Sequence, residues 1–237
     1  MKLIIIIPAY NEEEAIVDTI RSLKEVDADI LVINDGSSDH TGQIIEQVCE
    51  NNPRLTALHL PVNSGIGVTM QTGFKYALRN NYDYAIQFDG DGQHSAPYIA
   101  PMLAYTAENN LDLCIGSRYL DLSAEGFRST PMRRLGIMFF SKLIMTLTGG
   151  KIKDTTSGFR VYGARVLKLF SKHYPTDYPE PESVSWCFRN KLNVGEFSVE
   201  MNERQGGISS ISNLNSLFYM VKVTIAIFID LLRQKEV

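Results

Sequence analysis

Short unbroken apolar runs alternate with longer segments of helical periodicity through the first part of the chain. Residues 3–7 are five consecutive apolar positions, mostly isoleucine, which is typical of a parallel strand covered on both faces. Hydrophobic residues at helical spacing follow to about Lys24. A second apolar run at 30–33 and a third strand at 55–60 come next, with a helical segment between them. The order βαβαβ predicts a parallel sheet with right-handed crossovers.

The same alternation continues through the rest of the chain. The later predicted elements are a helix to about Asn80, a strand at 84–88, a helix from about Pro97, a strand at 111–116, a helix at 135–147, a strand at 194–201 and a helix at 214–232. This pattern predicts one α/β domain with a mostly parallel central sheet flanked by helices. In such sheets, ligands bind beyond the carboxyl ends of the strands.

The apolar run at 84–88 stops on two carboxylates, each followed by glycine. Asp89 and Asp91 are two residues apart in an extended segment and therefore point the same way, and Gln93 extends that side with a neutral oxygen. Hard oxygen ligands of this kind suit Mg²⁺ or Mn²⁺, with phosphates completing the coordination shell. An acidic turn formed for purely local reasons is the alternative interpretation.

Two more polar segments, at 8–12 and 34–39, also follow predicted strands. Because the carboxyl ends of parallel strands lie at one edge of a sheet, we expect both segments to lie near the acidic stretch. Each carries at least one acidic residue, which favours a shared ligand site. Helix capping alone would explain either Asp35 or Asp39.

Composition and charge narrow the function classes. The 237 residues carry a formal net charge of −4, whereas nucleic-acid-binding proteins are normally basic, so we expect no nucleic-acid partner. The three cysteines, Cys49, Cys114 and Cys187, form neither a disulfide framework nor a CxxC site, which predicts a reducing, cytoplasmic environment. The apolar run at 3–7 is too short for a signal-peptide core or a membrane span.

The C-terminal segment at 213–237 contains a largely apolar stretch at 214–232, which carries Lys222 and Asp230. Each charge costs about 2.5–3.5 kcal/mol at the centre of an inserted helix. We therefore predict an amphipathic helix associated with the membrane surface and not a transmembrane anchor. The apolar helix at 135–147 suits either a buried or an interfacial position.

Two groups of short segments resemble a known family. The three strand-end segments together resemble the three signatures of family 2 glycosyltransferases, which have the GT-A fold; these segments are 8–12, 34–39 and 89–93. Three later segments are similar to the branch that transfers sugars to dolichyl or polyprenyl phosphates; these are 117–119, 157–160 and 204–209. The resemblance covers residues 1–212, which we predict to be the GT-A domain, ahead of the helix at 213–237.

The resemblance implies a nucleotide-sugar site with a divalent cation. The residues that would line the nucleotide-sugar site are Pro8, Tyr10, Glu12, Ile33, Asp35, Asp89, Gly90, Asp91 and Arg204. The residues that would hold the cation, Mg²⁺ or Mn²⁺, are Asp91, Gln93 and Asp89. The catalytic residues would be Asp91, Arg118 and Arg204. A cation and fixed arginines stabilise the negative charge that builds on a leaving diphosphate.

The resemblance also implies inverting sugar transfer to a polyprenyl phosphate. Such a phosphate is already an anion and needs cationic positioning, for which Arg118, Arg133 and Arg134 are the candidates. The family places a lysine just after the serine of a late Arg-x-x-Gly-x-Ser motif, where this chain has Ser210, so one phosphate contact is missing or supplied elsewhere. The expected location is cytoplasmic, peripheral at the inner face of the cell membrane, and a homo-oligomer is left open.

Other functions stay open from the sequence. Transfer to a sugar hydroxyl would need a carboxylate base, for which Glu180 and Glu182 are candidates unless they only favour a helix N-terminus. A non-catalytic nucleotide-sugar-binding protein would keep the acidic site without an acceptor site. A nucleotidyltransferase would carry a glycine-rich loop with lysine or arginine after the first strand, and residues 8–11 are not such a loop.

Overall fold

The computed structural model of the protein describes residues 1–50, 52–120, 131–202 and 213–232. The strands are β1 (Leu3–Ala9), β2 (Asp29–Asn34), β3 (Leu55–His59), β4 (Tyr84–Gln87), β5 (Leu113–Ser117), β6 (Arg160–Gly163) and β7 (Val194–Ser198). The helices are α1 (Ile16–Ser22), α2 (Thr41–Cys49), α3 (Ile66–Arg79), α4 (Ile99–Glu108), α5 (Pro131–Thr148), α6 (Ala164–Lys172), α7 (Pro179–Arg189) and α8 (Asn213–Leu232). A short 3-10 turn at Ala96–Tyr98 leads into α4.

Within the described residues, the strands form a seven-stranded sheet in the order β3-β2-β1-β4-β6-β5-β7. β1 pairs in parallel with β2 on one side and β4 on the other, as the βαβαβ pattern predicted. β6 runs antiparallel between β4 and β5, and β7 is parallel to β5. The prediction of a mostly parallel sheet flanked by helices is confirmed. The antiparallel placement of β6 has no signature in the periodicity.

Both faces of the sheet are covered, as the unbroken apolar run of β1 requires. Ile4 and Ile6 pack into the core formed with α3, α6 and α7, whereas Ile5 and Ile7 pack into the core formed with α1, α2 and α4. All four side chains are at most 1% exposed. Burying an isoleucine of this kind stabilises the fold by about 1.5–3 kcal/mol, and a polar residue in the run would lose that contribution.

The two apolar helices α5 and α8 pack against each other. The rings of Phe140 and Tyr219 lie 5.6 Å apart, and Val223 and Ile227 of α8 are buried in the core on the same side of the sheet. None of the described helices is long and apolar enough to cross a membrane. The C-terminal helix predicted from the sequence is present to Leu232, and residues 233–237 lie outside the described residues.

One glycine in the first turn of α3 allows that helix to approach the main chain between α6 and α7. A Cβ atom at Gly67 would lie 2.0 Å from the carbonyl oxygen of Pro175 and 2.4 Å from that of Thr176. The substitution Gly67→Ala should therefore lower the free energy of unfolding by about 1–3 kcal/mol, because main-chain atoms must move to admit the methyl group. Urea denaturation followed by circular dichroism measures the change.

Gly136→Ala is the matched control, since Gly136 also lies in a helix. The nearest atom to its added Cβ is the Met220 sulfur at 4.0 Å, which is an ordinary contact. We expect this variant to be unchanged or stabilised by up to about 1 kcal/mol through higher helix propensity. Equal effects at the two glycines would contradict the close approach described for α3.

Candidate active site

The loops that follow β1 and β2 join at the carboxyl edge of the sheet. Asn11, at φ 54°, adopts the left-handed conformation that asparagine tolerates best after glycine. Its Oδ1 accepts a hydrogen bond from the backbone N–H of Ser38 at 2.8 Å, and its own N–H donates to the Ser37 hydroxyl at 3.0 Å. The N–H of Glu12 donates to the Thr41 hydroxyl at 2.8 Å. These bonds join two of the three segments predicted to form the site.

Asp35, predicted to contact the nucleoside, lies buried just after β2. Its two carboxylate oxygens accept hydrogen bonds from the N–H groups of Ser64 (2.7 Å) and Gly65 (2.9 Å). The carboxylate therefore holds the segment ahead of α3 at this edge, a structural contact that sequence reasoning missed. Ile33, predicted beside it, is fully buried in the core, so only its main chain can meet a ligand.

The acidic stretch after β4 turns sharply at the same edge. Gly92 has a φ of 75°, which favours glycine, and the N–H of Gln93 donates to Asp91 Oδ1 at 3.0 Å. Gly90 lies against the end of β1, where an added Cβ would come 3.2 Å from the Pro8 carbonyl oxygen. Tyr10, which directly follows β1, is 45% exposed. The structure thus brings the predicted cation residues to the loops of β1 and β2.

Asp89 is contacted on both carboxylate oxygens. Gln87 Nε2 donates to Asp89 Oδ1 at 3.1 Å, and His94 Nε2 lies 3.5 Å from Asp89 Oδ2. His94 Nδ1 accepts the Asp89 N–H at 2.9 Å, so the ring proton belongs on Nε2. Burial lowers the pKa of His94 in spite of the nearby carboxylates, and its ring stacks on Phe159 at 4.8 Å. His94 therefore acts as a neutral support for Asp89.

The predicted cation ligands offer two carboxylates and one amide oxygen at the end of a strand. This donor set fits Mg²⁺ or Mn²⁺, which take hard oxygen ligands and commonly complete their shells with water and substrate phosphates. Across the described ranges, no three His, Cys, Asp or Glu side chains are grouped as a closed metal cage. That these residues hold a cation together with a bound diphosphate stays a prediction.

Arg118, predicted to meet a phosphate, is tied to a buried carboxylate. Its Nε and Nη2 donate to Asp154 Oδ2 at 2.7 Å and Oδ1 at 2.8 Å, and Nη2 also donates to the Thr156 hydroxyl at 3.1 Å. Burial alone would raise the pKa of Asp154, but the Arg118 guanidinium outweighs it and holds that pKa below its usual value. Arg118 is therefore a charge-balanced group, which the sequence did not indicate.

Asp154 is itself fixed to the edge strand β7. Glu196 of β7 accepts hydrogen bonds from the N–H groups of Lys153 and Asp154, both at 2.8 Å. The Asp154 side chain is fully buried, so water cannot solvate its negative charge and neighbouring protein groups must compensate it. Arg118, Asp154 and Glu196 thus anchor the segment ahead of β6 beside the site.

A second buried arginine was also missed by sequence reasoning. Arg160, at the start of β6, is completely buried and donates to the carbonyl oxygens of Ser157 (2.7 Å) and Glu180 (3.1 Å). Its Nη1 donates to the Ser183 hydroxyl at 2.9 Å. Arg160 therefore joins the segment ahead of β6 to the first turn of α7. The only sequence signal was its place in the segment 157–160.

The two candidate bases on α7 have different surroundings. Glu180 is half-buried. Its burial and the nearby Asp89 carboxylate raise its pKa, although the positive charge of Arg160 acts to lower it. Glu182 instead lines a cavity of about 380 Å³ between α6, α7 and α8, and none of the described residues of the predicted nucleotide and cation sites lines that cavity. The influence of Asp89 on Glu180 places that glutamate near the acidic stretch.

The remaining predicted arginines are only partly described. Arg134 is exposed in the first turn of α5, and its neighbour Arg133 is described as helical main chain only. Arg204 and Ser210 lie outside the described residues, so their predicted phosphate contacts stay predictions.

Comparison with known proteins places this chain in a family. A family model described as glycosyl transferase family 2 matches residues 4–170, well over half of the chain. The chain belongs to glycosyl transferase family 2. It is therefore a glycosyltransferase, as the three strand-end segments predicted.

Named relatives align with this glycosyltransferase over most of their length. The polyprenol monophosphomannose synthase of Mycolicibacterium smegmatis is 31% identical, with 93% of this chain and 84% of that protein aligned. The UDP-N-acetylglucosamine–dolichyl-phosphate N-acetylglucosaminyltransferase of Methanococcus voltae is 31% identical over 83% of this chain and 84% of that protein. The undecaprenyl-phosphate mannosyltransferase of Micrococcus luteus is 30% identical over 90% of this chain and 88% of that protein.

Solved structures share the fold at low sequence identity. The mannosyltransferase PcManGT from Pyrobaculum calidifontis, crystallised with GDP-Man and Mn²⁺, matches with a TM-score of 0.68 at 13% identity over 98% of this chain. S. aureus TarS 1–349 in complex with UDP-GlcNAc matches with a TM-score of 0.60 at 19% identity over 94% of this chain. This chain spans 64% and 65% of those two chains, respectively. The predicted GT-A fold is confirmed.

Removing the buried carboxylate beside Arg118 should be costly. Asp154→Asn leaves a buried guanidinium without its counter-charge, which typically lowers the free energy of unfolding by about 3–5 kcal/mol. Because the folded-state pKa of Asp154 lies below 3.8, the ordinary value for an aspartate, its contribution to stability is present above pH 3.8 and is lost as the pH falls through the lower, folded-state pKa. The gap between wild type and variant should therefore shrink on acidification, as measured by urea unfolding at several pH values.

Asp18→Asn supplies the matched control at an exposed pair. Asp18 Oδ1 lies 2.6 Å from Arg21 Nη1, but the side chains are 63% and 69% exposed. Exposed pairs of this kind contribute about 0–1 kcal/mol, so this variant should unfold almost like the wild type. Equal losses in the two variants, or a gap at Asp154 that ignores pH, would contradict the buried ion pair.

Proposed function

We propose that this glycosyltransferase moves a sugar from a nucleoside-diphosphate sugar to a polyprenyl phosphate, with Mg²⁺ or Mn²⁺ at the acidic stretch. The observation that carries the proposal is the alignment with three enzymes named for transfer to polyprenol, dolichyl and undecaprenyl phosphates. Those alignments cover 83–93% of this chain and 84–88% of the relatives. A shared catalytic domain and a shared acceptor class are the simplest account of such long alignments.

The arrangement of the carboxyl edge supports the donor side of the proposal. Asp91 and Gln93 would hold the cation, which would neutralise charge on the leaving diphosphate. Tyr10, exposed at this edge, offers a ring against which a base can stack. The same fold in PcManGT accommodates GDP-Man together with Mn²⁺. Arg204 would add a further positive charge at the diphosphate.

The acceptor side depends on whether a proton must be removed. A lipid phosphate attacks as an anion and needs only to be held in line with the sugar, so inversion follows without a base. Arg118 can orient the phosphate through N–H groups while Asp154 balances its charge, and Arg133 and Arg134 add positive charge at the start of α5. Glu180, with its raised pKa, is the base that transfer to a hydroxyl would use instead.

The surface of α5 and α8 supports a position at the membrane. Both helices expose large apolar side chains, namely Leu135, Met138, Phe139 and Met145 on α5, and Phe218, Val221, Ile225, Phe228, Ile229 and Leu232 on α8. We call these residues the α5–α8 surface. The two helices are in contact, and exposed apolar side chains in such numbers mark an interaction site. It suits the cytoplasmic face of a membrane that holds the lipid acceptor.

Asp91→Asn should remove cation-dependent donor binding and transfer. An amide is a weaker ligand than a carboxylate, and one unit of negative charge is lost beside the cation. We expect titration calorimetry with GDP or UDP and Mn²⁺ to show no metal-dependent binding. Transfer from GDP-, UDP- or dTDP-sugars to polyprenyl phosphate should fall by about a hundredfold or more.

Asp27→Asn is the control, since it makes the same charge change at an exposed site before β2, at the opposite edge of the sheet. It should bind and transfer like the wild type. Undiminished metal-dependent binding by Asp91→Asn would reject the cation site. Transfer only to free sugars, with loss of activity in Glu180→Gln, would replace the lipid acceptor by a hydroxyl acceptor.

Charges on the α5–α8 surface should weaken membrane binding without affecting donor binding. Met138→Glu and Ile225→Glu each replace an exposed apolar side chain, 67% and 53% exposed in the free protein. Losing a side chain buried in lipid costs about 1.5–3 kcal/mol, so each change should reduce partition by roughly tenfold or more. Sedimentation with phosphatidylethanolamine–phosphatidylglycerol vesicles measures this.

Val62→Glu serves as the control, because Val62 is 64% exposed but belongs to the loop ahead of α3. It should sediment like the wild type. If all three variants lose binding equally, net charge and not the α5–α8 surface governs the association.

A further inference from the structure

A polar residue lies in the middle of the sheet where the pattern calls for an apolar one. Gln87 ends β4 and is only 1% exposed. It pairs with Arg160 across the antiparallel β4–β6 ladder, and Tyr162 lies two residues further along β6, on the same face. An amide buried this deeply is costly unless all of its groups are bonded.

Gln87 connects a buried tyrosine to the acidic stretch. The Tyr162 hydroxyl donates to Gln87 Oε1 at 2.9 Å, and Gln87 Nε2 donates to Asp89 Oδ1 at 3.1 Å. Tyr162 is completely buried, and burial raises the pKa of its phenol well above the ordinary value, so the hydroxyl keeps its proton. A chain of two consecutive hydrogen bonds therefore connects Tyr162 in the core to Asp89 in the candidate site.

These two hydrogen bonds can run in only one direction, from Tyr162 through Gln87 to Asp89. An ionised carboxylate accepts hydrogen bonds and donates none, so the amide NH₂ of Gln87 must face Asp89. The amide oxygen then faces Tyr162, which must donate to it. If the amide turned over, its oxygen would meet the carboxylate oxygen without a proton between them. Asp89 thus sets the orientation of the amide, and Tyr162 holds the amide in place by donating to its oxygen.

Packing leaves these groups little freedom. The Tyr162 ring lies 4.8 Å from that of Phe74 in an edge-on contact. A Cβ atom at Gly158 would come 2.8 Å from Asp89 Oδ2 and 2.9 Å from Gln87 Nε2, so the segment ahead of β6 closes the side of the pair. The Asp89 carboxylate is thus confined to one orientation.

We propose that Tyr162 and Gln87 are positioning residues that hold the Asp89 carboxylate in the orientation needed at the donor diphosphate and its cation. The inference rests on the proposed function, because it assumes a nucleotide and a cation beside Asp89 and Asp91. Outer groups that orient a ligating or charge-bearing side chain usually change affinity by about 10–100-fold when they are lost.

Two tyrosine-to-phenylalanine variants separate positioning from packing. Tyr162→Phe removes the hydroxyl at the base of the chain and should weaken binding of GDP or UDP with Mn²⁺ by about tenfold in titration calorimetry. Tyr82→Phe is the matched control: it also removes a hydroxyl from a buried core tyrosine, but that hydroxyl donates to Asp29 Oδ2 at 2.7 Å, at the start of β2 and the opposite edge of the sheet. It should bind the nucleotide and Mn²⁺ like the wild type.

Gln87→Met gives an independent test that leaves the aromatic packing in place. It should weaken Mn²⁺–nucleotide binding at least as much as Tyr162→Phe does. The double variant should be no worse than Gln87→Met alone, because both changes break one chain and their effects are not additive. A general loss of stability would instead lower the urea midpoint without changing the affinity of the folded protein.

The outcomes are distinct. Weakened binding in Tyr162→Phe and Gln87→Met, non-additive in the double variant and absent in Tyr82→Phe, supports the proposal. Wild-type affinity in Gln87→Met, or equal affinities in the two phenylalanine variants, overturns it while the proposed function stands. A wild-type protein that binds neither nucleotide with Mn²⁺ overturns the proposed function and the positioning role together.

Discussion

The carboxyl ends of β1, β2 and β4 lie side by side, and the candidate site depends on that alignment. Because β1 pairs in parallel with both neighbours, the three following loops emerge at one edge of the sheet. There, polar side chains bond to the neighbouring loop, as Asn11 does to Ser38 and Asp35 to Gly65. The acidic stretch therefore lies on a framework whose backbone groups are largely satisfied.

The antiparallel strand β6 completes this edge from the other side. Since β6 runs opposite to β4, its amino end lies at the carboxyl end of β4, and the segment that precedes it arrives beside the acidic stretch. Gly158 consequently packs against Asp89, and Arg160 pairs across from Gln87. The reversed direction of β6 thus places the polar groups at its amino end beside the acidic stretch, where a parallel strand would place its carboxyl end.

Buried charges around the site are balanced within short distances. Arg118 is held by Asp154, and Arg160 is surrounded by carbonyl and hydroxyl acceptors. Pairs of this kind add little net stability compared with apolar packing, because both charges are desolvated. These contacts instead fix the geometry of the segments that they join, namely the one ahead of β6 and the first turn of α7.

The sequence by itself determined the βαβαβ order, the glycine-punctuated acidic stretch and its placement at a strand end, because each has a local signature in periodicity or residue type. Only the tertiary structure decided the antiparallel β6, the pairing of Arg118 with Asp154 and the bond from Tyr162 to Gln87. The last two join residues 36 and 75 positions apart. Hydrogen bonds over such separations depend on strand order and register, which no local pattern of hydrophobic and polar residues specifies.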